Sequence, residues 1–340
     1  MIVATAPGRV NLIGDHTDYT GGLCFPMAID RHVEVRGEPD ADCGAVTLAT
    51  DGHPAATIPL DVAEPALVEP AWARYVAGVV AQLRPATGFR GAVHSTLPEG
   101  AGLSSSAALE VAVALALGAD AGDPVALAKL CQAAEHAARG VPTGLLDQLA
   151  VIGGVAGHGL LLDCRAVTSR PVPLPPPDEA EWLVVFTGPR SLADSGYSTR
   201  VAELAAAAEL IGPIRDADET AVATLADPVL RTRARHVVTE NARVRAFADA
   251  LVAGDVAAAG ALMNDSHRSL SRDFESSTPR VDGLCADLAA TSGVLGARIT
   301  GGGWGGCVVA LLRPGAVAPA AFAQAWTVRP AAGARVEHDG

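Results

Sequence analysis

Four residues with chemically useful side chains lie close together near the start of the chain. In the segment RVNLIGDHTDYTGG (9–22), Arg9 is followed by Asp15, His16 and Asp18, with a short apolar run between them. Carboxylates and an imidazole at this density could bind a metal ion or move protons, and they could equally form a polar turn after a strand. The segment alone leaves these three interpretations open.

A glycine and serine segment, LPEGAGLSSSAALE (97–110), is the strongest chemical signal in the chain. Gly100 and Gly102 permit a left-handed backbone and a close approach to a ligand. Three serines then begin an apolar helix, whose N terminus offers unpaired amides and the positive end of the dipole to an anion. The segment could bind a di- or triphosphate; a serine cap after a glycine turn is the ordinary alternative.

The only lysine of the chain, Lys129, limits how phosphates could be held. A Walker A loop and a protein-kinase fold each require a lysine beside the phosphates. Lys129 lies in ALAKLCQAAE, a helical segment with no glycine loop before it. Any phosphate binding must therefore use backbone amides, arginine and a metal ion.

Two carboxylates follow the glycine and serine segment. Glu135 lies near the end of a predicted helix, where the dipole disfavours a carboxylate by roughly 0.3–1 kcal/mol. It is therefore either a cation ligand, with Ser106 as a second oxygen ligand for Mg²⁺, or a solvated surface acid. Asp147 lies in the first turns of the next helix, beside Leu145 and Leu146. There it could act as a base towards a hydroxyl, although many such acids only start a helix.

A second glycine loop, TGGGWGG (300–306), joins two apolar segments near the C-terminal end. Five glycines in six positions are costly in backbone entropy, so turn formation alone explains them poorly. We interpret this loop as one that packs closely against a ligand or another domain, with a bare hairpin as the alternative.

A mixture of strands and helices must position these segments. Short apolar or alternating runs predict strands over 2–6 and 9–13, 23–36, 45–59, 88–98, 157–165, 182–187, 294–300 and 307–312. Helical spacing and capping residues predict helices over 72–83, 104–117, 124–139, a short stretch after residue 143, about 195–211, 229–253 and 255–270. The absence of a regular βαβ period favours the α+β class. A proline-rich loop (171–181) indicates two domains, 1–170 and 171–340.

The composition excludes several classes of protein. The 340 residues, 49% of them hydrophobic, suit a soluble two-domain protein. A net charge of −13 argues against nucleic acid or an anionic membrane surface as a partner. No apolar run reaches the roughly 18 residues of a membrane helix. Six scattered cysteines without a CxxC pair, and no signal-peptide pattern at the start, favour a cytoplasmic protein with reduced thiols.

The segments RVNLIGDHTDYTGG, LPEGAGLSSSAALE and ITGGGWGGCVV occur in an order that resembles the GHMP small-molecule kinase superfamily. The first segment is similar to the signature of its galactokinase family, and the resemblance covers most of the chain. It implies a ribosomal-protein-S5-like N-terminal domain and a ferredoxin-like C-terminal domain with the active site between them. It also implies transfer of a phosphoryl group from ATP, with Mg²⁺, to the anomeric C1 hydroxyl of galactose.

The same resemblance assigns roles to individual residues. It implies that Asp147, next to the anomeric hydroxyl, and Arg9, beside the transferring phosphate, are the catalytic residues. The implied sugar-binding residues are Asp15, His16, Asp18, Gly144 and Tyr197. The implied nucleotide-binding residues are Trp72 and Tyr75 near the adenine, and Gly100, Ala101, Gly102, Leu103, Ser104, Ser105 and Ser106 around the phosphates. Ser106 and Glu135 are the implied Mg²⁺ ligands, and loop 300–306 closes over the site.

Two departures from the family pattern leave the sugar open. The family usually has glutamate where this chain has Asp15, which is one methylene shorter, and the segment GPRSL (188–192) is short. We expect galactose, with N-acetylgalactosamine, another amino sugar or arabinose as alternatives. A kinase for mevalonate or homoserine, a sugar-sensing regulator and a non-catalytic sugar- or metal-binding module are less favoured. We expect a monomer whose partners are the sugar and ATP.

Overall fold

The computed structural model describes residues 1–98, 100–140, 143–188 and 196–338, and the first half of the chain forms most of a large sheet. Its first seven strands are β1 (Ile2–Ile13), β2 (Leu23–Asp40), β3 (Ala45–Thr50), β4 (His53–Pro59), β5 (Gly88–Ser95), β6 (His158–Asp163) and β7 (Thr168–Pro173). The path runs β1-β2-β5-β3-β4, and β6 pairs with both β2 and β7. Among these seven strands, the pair β3–β5 is parallel and the others are antiparallel.

Four helices accompany this sheet: α1 (Ala73–Leu83), α2 (Ser105–Ala116), α3 (Pro124–Arg139) and α4 (Leu146–Gly153). Helix α2 is the central one, because every residue from Ala107 to Ala116 is buried, as its apolar sequence predicts. It packs on β1 and β2 and also contacts α1 and α3. The loop before α2 is therefore attached to a rigid element.

The second half of the chain forms a smaller antiparallel sheet. Its strands are β8 (Glu181–Gly188), β9 (Val294–Thr300), β10 (Gly306–Leu312) and β11 (Ala325–Val328), in the order β11-β8-β10-β9. The helices of this half are α5 (Tyr197–Ile211), α6 (Glu219–Ala223), α7 (Pro228–Val252), α8 (Val256–Arg272) and α9 (Pro279–Ala290). The last strand, β12 (Arg335–His338), returns to the large sheet and pairs with β1.

One apolar cluster extends across both sheets, and the second half also has a cluster of its own. The shared cluster combines Leu12 and Ile13 from β1 with Val184 from β8 and Val309 from β10. Burying apolar surface contributes roughly 25 cal/mol per Å², so this shared cluster stabilises the packing of the two halves against each other. A site lined by both sheets therefore depends on that packing.

The predicted α+β class is confirmed, and most predicted elements are present within a few residues of their predicted ends. The elements not predicted are β7, α6, α9, β11 and β12. In β7, Val172 alone is buried, so the strand lacks an apolar pattern. Helix α9 does carry a start signal, since Thr278 caps it and Pro279 is its first residue. The GPRSL segment lies, apart from Gly188, outside the described residues.

The predicted boundary after residue 170 falls inside β7, which pairs with β6 along its whole length. A boundary between Pro173 and Glu181 would leave both sheets intact, and β12 would still cross back to the first one. The division into two domains at this point stays a prediction. Within the described ranges, none of the helices combines the length and the apolar character that crossing a bilayer requires.

Candidate active site

Arg9 lies where three segments of the chain meet. Its side chain is buried in β1, its amide donates to Leu103 O at 3.1 Å, and its Nη1 donates to Gly102 O at 2.8 Å. A Cβ on the preceding residue, Gly8, would lie 2.8 Å from Leu103 O and 2.4 Å from the Leu97 side chain, so a larger residue would push the strand away from the loop. β1 can therefore approach the loop closely enough for Arg9 to hold the loop backbone.

The same arginine forms an ion pair with Asp147. Arg9 Nε lies 2.8 Å and Nη2 2.7 Å from Asp147 Oδ1. Asp147 is in the first turn of α4, and its side chain is 29% exposed. The carboxylate is therefore fixed by a buried cation while part of it still faces open space.

Ser104 completes the surroundings of Asp147. Its Oγ donates to Asp147 Oδ2 at 2.6 Å, and its backbone is left-handed, with φ of 58°. Although Ser104 is the N-cap residue of α2, its side chain makes no capping hydrogen bond. Ser104 thus occupies the predicted cap position, but its hydroxyl is directed at the carboxylate and not at a helix amide.

A cavity of about 390 Å³ extends from this point across the large sheet. Part of its lining is aromatic or aliphatic and includes Trp72, Tyr75 and Val93, and Trp72 is held by a 3.2 Å bond from its Nε1 to Pro54 O. The rest of the lining is polar and includes the loop before α2, Glu135 and Arg139. A lining with both apolar and charged groups suits a nucleotide, whose base is apolar and whose phosphates are charged.

Most residues predicted to bind the nucleotide line this cavity. They are Trp72, Tyr75, Gly100, Gly102, Ser104, Ser105 and Ser106. Gly100 and Gly102 have φ of 67° and 74°, as their predicted left-handed role requires. The exceptions are Ala101 and Leu103, which are each 1% exposed and belong to the apolar core. In this structure neither residue lines the cavity.

The start of α2 presents an anion-binding surface to the cavity. The first intrahelical bond joins Ala108 N to Ser104 O, so the amides of Ser105, Ser106 and Ala107 precede it. Those amides and the helix dipole favour a negatively charged group at this position. The exposed Lys129 lies on α3 and does not line the cavity, which agrees with a lysine-independent phosphate site.

Glu135 is buried, so the alternative of a solvated surface acid is wrong. The residue is 4% exposed. It accepts hydrogen bonds from Ser106 Oγ (3.1 Å), Thr143 Oγ1 (3.2 Å) and Gln148 Nε2 (3.0 Å), and Arg139 Nη1 lies 3.6 Å away. A buried carboxylate beside a serine hydroxyl provides hard oxygen atoms in the lining of the cavity.

A second, smaller cavity lies on the other side of Arg9 and Asp147. All five predicted sugar-binding residues line it: Asp15, His16, Asp18, Gly144 and Tyr197. They come from the turn after β1, the segment before α4 and the start of α5, and Gly301 and Gly302 contribute from the second glycine loop. Tertiary folding thus collects in one place residues that are far apart in sequence.

Asp18 and Gly144 are in direct contact within this cavity. A Cβ on Gly144 would lie 1.9 Å from Asp18 Oδ2, so no larger residue fits without displacing the carboxylate. Burial, followed by the nearby charge of Asp147, raises the pKa of Asp18 to about 7. At neutral pH Asp18 therefore exists in both protonation states and can donate or accept a hydrogen bond.

His16 is held by aromatic neighbours. Its ring lies 4.5 Å from Phe274 and 5.5 Å from Tyr197, measured between centroids, and its Nδ1 is 3.0 Å from the Tyr19 hydroxyl. The residue has a left-handed backbone with φ of 64°. Such strain is commonly found where the surrounding structure fixes a functional side chain.

Asp15 faces the second half of the chain. Its Oδ1 accepts from Gly301 N at 3.0 Å, and its Oδ2 lies 2.6 Å from Arg298 Nη2. Burial raises the pKa of Asp15, and the positive charge of Arg298 opposes that increase. The second glycine loop therefore packs against the polar turn of residues 15–18, as the interdomain interpretation of that loop requires.

The glycines of this loop also have a conformational reason. Gly303 has φ of 87°, and a Cβ there would lie 2.4 Å from Ser276 O. Trp304 N donates to that same oxygen at 2.6 Å. The loop is thus fixed against the segment after α8, and backbone conformation explains part of its composition.

The two cavities meet at three residues, because Arg9, Thr143 and Asp147 line both of them. Thr143 is held from α3, since its amide donates to His136 Nε2 at 2.9 Å and its carbonyl accepts from Gln132 Nε2 at 2.8 Å. A ligand in one cavity can therefore approach a ligand in the other only beside the Arg9–Asp147 pair.

Three residues near the site were not singled out from the sequence: Arg139, Thr143 and Arg298. Arg139 is the last residue of α3 and could have been predicted, because a cation at a helix C terminus is favoured by the helix dipole. Thr143 follows the helix in GVPTG and carries no distinctive signal. Arg298 lies in an apolar strand, VLGARIT, where a lone charged residue is unusual enough to suggest a role.

Comparison with known proteins agrees with this geometry. The galactokinase galactose-binding signature matches residues 1–39, the GHMP kinase N-terminal domain 74–154 and the GHMP kinase C-terminal domain 247–326. A galactokinase of Roseiflexus sp. (strain RS-1) is 43% identical, and the match covers 93% of this chain and 84% of the relative. The galactokinase of Homo sapiens is 42% identical over the same shares of the two chains.

Solved structures show the same relationship. The galactokinase of Lactococcus lactis in complex with galactose superposes with a TM-score of 0.88 at 30% identity, covering 98% of this chain and 95% of that one. A mevalonate kinase superposes with a TM-score of 0.70 at 18% identity, which supports the fold alone. The predicted two-domain GHMP kinase fold is confirmed. The chain is a sugar kinase that belongs to the galactokinase family.

Proposed function

We propose that this chain transfers the γ-phosphoryl group of ATP to the anomeric C1 hydroxyl of galactose, with Asp147 and Arg9 as the catalytic residues. The observation that carries the proposal is the pair of cavities that meet at Arg9 and Asp147. ATP occupies the larger cavity and the sugar the smaller one. Direct transfer requires the two substrates to touch at one point, and the junction of the cavities offers that point beside a carboxylate and a buried cation.

In the transfer step, a bond forms between the C1 oxygen and the γ-phosphorus while the bond from that phosphorus to the β–γ bridging oxygen breaks. Asp147 accepts the hydrogen bond of the attacking hydroxyl and is the carboxylate that takes its proton. Arg9 neutralises Asp147 and presents its positive charge to the moving phosphoryl group. Ser104 and Arg9 fix the carboxylate, so catalysis depends mainly on positioning and charge stabilisation.

At the phosphate end, the amides at the start of α2 and the Arg139 guanidinium attract the ATP phosphates. Ser106 and Glu135 suit Mg²⁺, which prefers hard oxygen ligands and commonly uses one or two carboxylates together with phosphate oxygens. Their side-chain oxygens lie 3.1 Å apart at one spot in the cavity. When bound there, Mg²⁺ neutralises phosphate charge.

In the sugar cavity, Asp15, His16, Asp18, Gly144 and Tyr197 recognise the hydroxyls of galactose. A site built to hydrogen-bond a hydroxyl rejects an analogue that lacks it, because its own buried polar groups then remain unpaired. The contact between Gly144 and Asp18 makes this end of the cavity tight. Asp15 replaces the glutamate that is usual in the family and is one methylene shorter. Because it lines the sugar cavity, related sugars should be tested beside galactose.

The function can be tested by measuring ADP formation with galactose, galactosamine, N-acetylgalactosamine, glucose and arabinose. We expect turnover with galactose to exceed that with every other sugar. A preference for N-acetylgalactosamine or arabinose would replace galactose with that sugar. ADP formation that does not depend on any sugar would contradict a sugar kinase activity for the purified chain.

The roles of the residues can be tested with Asp147→Asn. This variant keeps the size of the side chain and removes its charge, so we expect turnover to be abolished and galactose binding, measured by calorimetry, to be largely kept. Wild-type-like turnover would contradict the assignment. A matched control is Asp216→Asn, because Asp216 is an exposed acid whose partner is Arg165, away from both cavities.

That the protein is a monomer and lies in the cytoplasm stays our prediction.

A further inference from the structure

Arg298 is an unusual residue for the strand that carries it. It is fully buried in β9, within the run VLGARIT, and is the largest of the fully buried side chains in the described part of the chain. Placing a guanidinium in a core is costly unless it is paired and hydrogen-bonded. The contacts of Arg298 therefore show what the residue is for.

Those contacts involve groups that position the polar turn 15–18. Arg298 Nη2 lies 2.6 Å from Asp15 Oδ2 and 3.9 Å from Glu240 Oε1, and its Nη1 donates to Asn11 O at 3.2 Å. Asn11 is on β1, just before the turn, and Asp15 is in the turn itself. Arg298 thus attaches the second sheet to the segment that lines the sugar cavity.

Glu240, on α7, supports the same turn from another direction. Its Oε1 accepts from Gly14 N at 2.9 Å and from Ser266 Oγ at 2.5 Å, and its Oε2 accepts from Arg243 Nε at 2.7 Å. Burial raises its pKa, but Arg243, His236 and Arg298 lower it, and the result is about 2. The acid is therefore charged, and Arg298 lies between two buried carboxylates.

Both oxygens of Asp15 are held from the second half of the chain, one by Arg298 and the other by Gly301 N. Arg298 precedes Gly301 by three residues, so a single stretch of chain determines where the carboxylate lies. The position of the Asp15 carboxylate therefore depends on these two partners.

We propose that Arg298 is a positioning residue that holds the Asp15 carboxylate at the sugar cavity and so contributes to galactose binding without touching the sugar. This inference rests on the proposed function, in which Asp15 binds the sugar. It assigns to Arg298 an effect on galactose affinity alone, because the nucleotide cavity is not lined by Arg298 or Asp15.

The test compares Arg298→Met, Arg298→Lys, Asp15→Asn and the double variant Arg298→Met/Asp15→Asn. Losing the buried positive charge that lies 2.6 Å from Asp15 Oδ2 corresponds to about 10- to 100-fold in affinity. We expect Arg298→Met to raise the galactose KM and Kd by about that factor and to change the ATP KM by less than about 3-fold. Arg298→Lys keeps the charge and should have a smaller effect. In the Asp15→Asn background, Arg298→Met should add little, because its target is already lost.

Asn264→Ala provides a matched structural control. Asn264 Oδ1 accepts from Ala297 N at 2.9 Å, so it fixes β9 from the side of α8 without contacting Asp15. We expect this variant to lower Tm and to leave the galactose KM unchanged. If Arg298→Met does not fold, Arg298→Lys provides the same comparison.

The inference is overturned if Arg298→Met and Arg298→Lys leave the galactose KM unchanged, or raise the galactose and ATP KM values equally. It is also overturned if the effects of Arg298→Met and Asp15→Asn simply add, or if Asp15→Asn binds galactose like the wild type. In these cases sugar-dependent ADP formation by the wild-type chain would still support the proposed function. Absence of that activity would overturn both.

Discussion

The hydroxyl of Ser104 provides the sharpest test of the proposed active site. It donates to Asp147 Oδ2 at 2.6 Å, and the residue adopts a left-handed backbone at φ of 58°. Ser104→Ala removes the hydrogen bond and keeps the backbone strain, because alanine and serine both have a Cβ. Ser104→Gly removes the same hydrogen bond and relieves the strain.

The expected size of the effect follows from the type of bond. A hydrogen bond to a charged group is worth about 1.5–3 kcal/mol, and the 29% exposure of the Asp147 side chain favours the lower end of that range. Since about 1.4 kcal/mol corresponds to tenfold, we expect kcat to fall about tenfold in both variants. The KM values for ATP and galactose should change by less than about 3-fold, because Ser104 contacts the carboxylate rather than the helix amides.

Steady-state kinetics with both substrates and urea unfolding together separate the two roles of Ser104. We expect Ser104→Gly to be more stable than Ser104→Ala by about 1 kcal/mol, since a non-glycine residue in the left-handed region is strained by roughly that amount. Equal loss of kcat in two variants of different stability would show that the hydroxyl matters for catalysis. Wild-type kcat in either variant would refute the role of Ser104 in fixing Asp147.

Three further predictions concern carboxylates of the site. Asp15→Glu adds a methylene to a side chain already held at both oxygens, so we expect the free energy of unfolding to fall by about 1–3 kcal/mol. We also expect the ratio of galactose turnover to N-acetylgalactosamine turnover to change. If neither the ratio nor the stability changed, Asp15 would not be tightly fixed. Asp18 has its pKa raised from 3.8 to about 7, so the native state binds a proton more readily than the unfolded state and stability falls as pH rises from about 4 to 7. Asp18→Asn should abolish this contribution, so the free energy of unfolding of the variant should fall less than that of the wild type between pH 4.5, 6 and 7.5, measured with urea. Equal pH dependence of the two proteins would show that Asp18 titrates normally. Glu135→Gln should raise the Mg²⁺ concentration needed for half-maximal activity and leave calorimetric galactose binding unchanged; an unaltered Mg²⁺ requirement would remove Glu135 as a ligand.

The sequence was sufficient for features that depend on neighbouring residues. The left-handed conformations of Gly100 and Gly102, the all-round burial of α2 and the end of α3 at Gly140 all follow from local composition. The α+β class and the family resemblance were also predictable, because both rest on the order of segments. Strand β7 was missed because its sequence has almost no apolar pattern, and its pairing with β6 stabilises it instead.

Tertiary structure alone decided which atoms meet at the site. Ser104 and Asp147 are separated by 43 positions, and Arg298 and Asn11 by 287, so no local pattern predicts either contact. Glu135 could be judged buried only once Ser106, Thr143 and Gln148 were placed around it. Sequence therefore determined which residue types and turns were available, since these depend on short-range backbone sterics. The shared edge of the two cavities depends on long-range packing of segments that are far apart in sequence, and only the folded chain could reveal it.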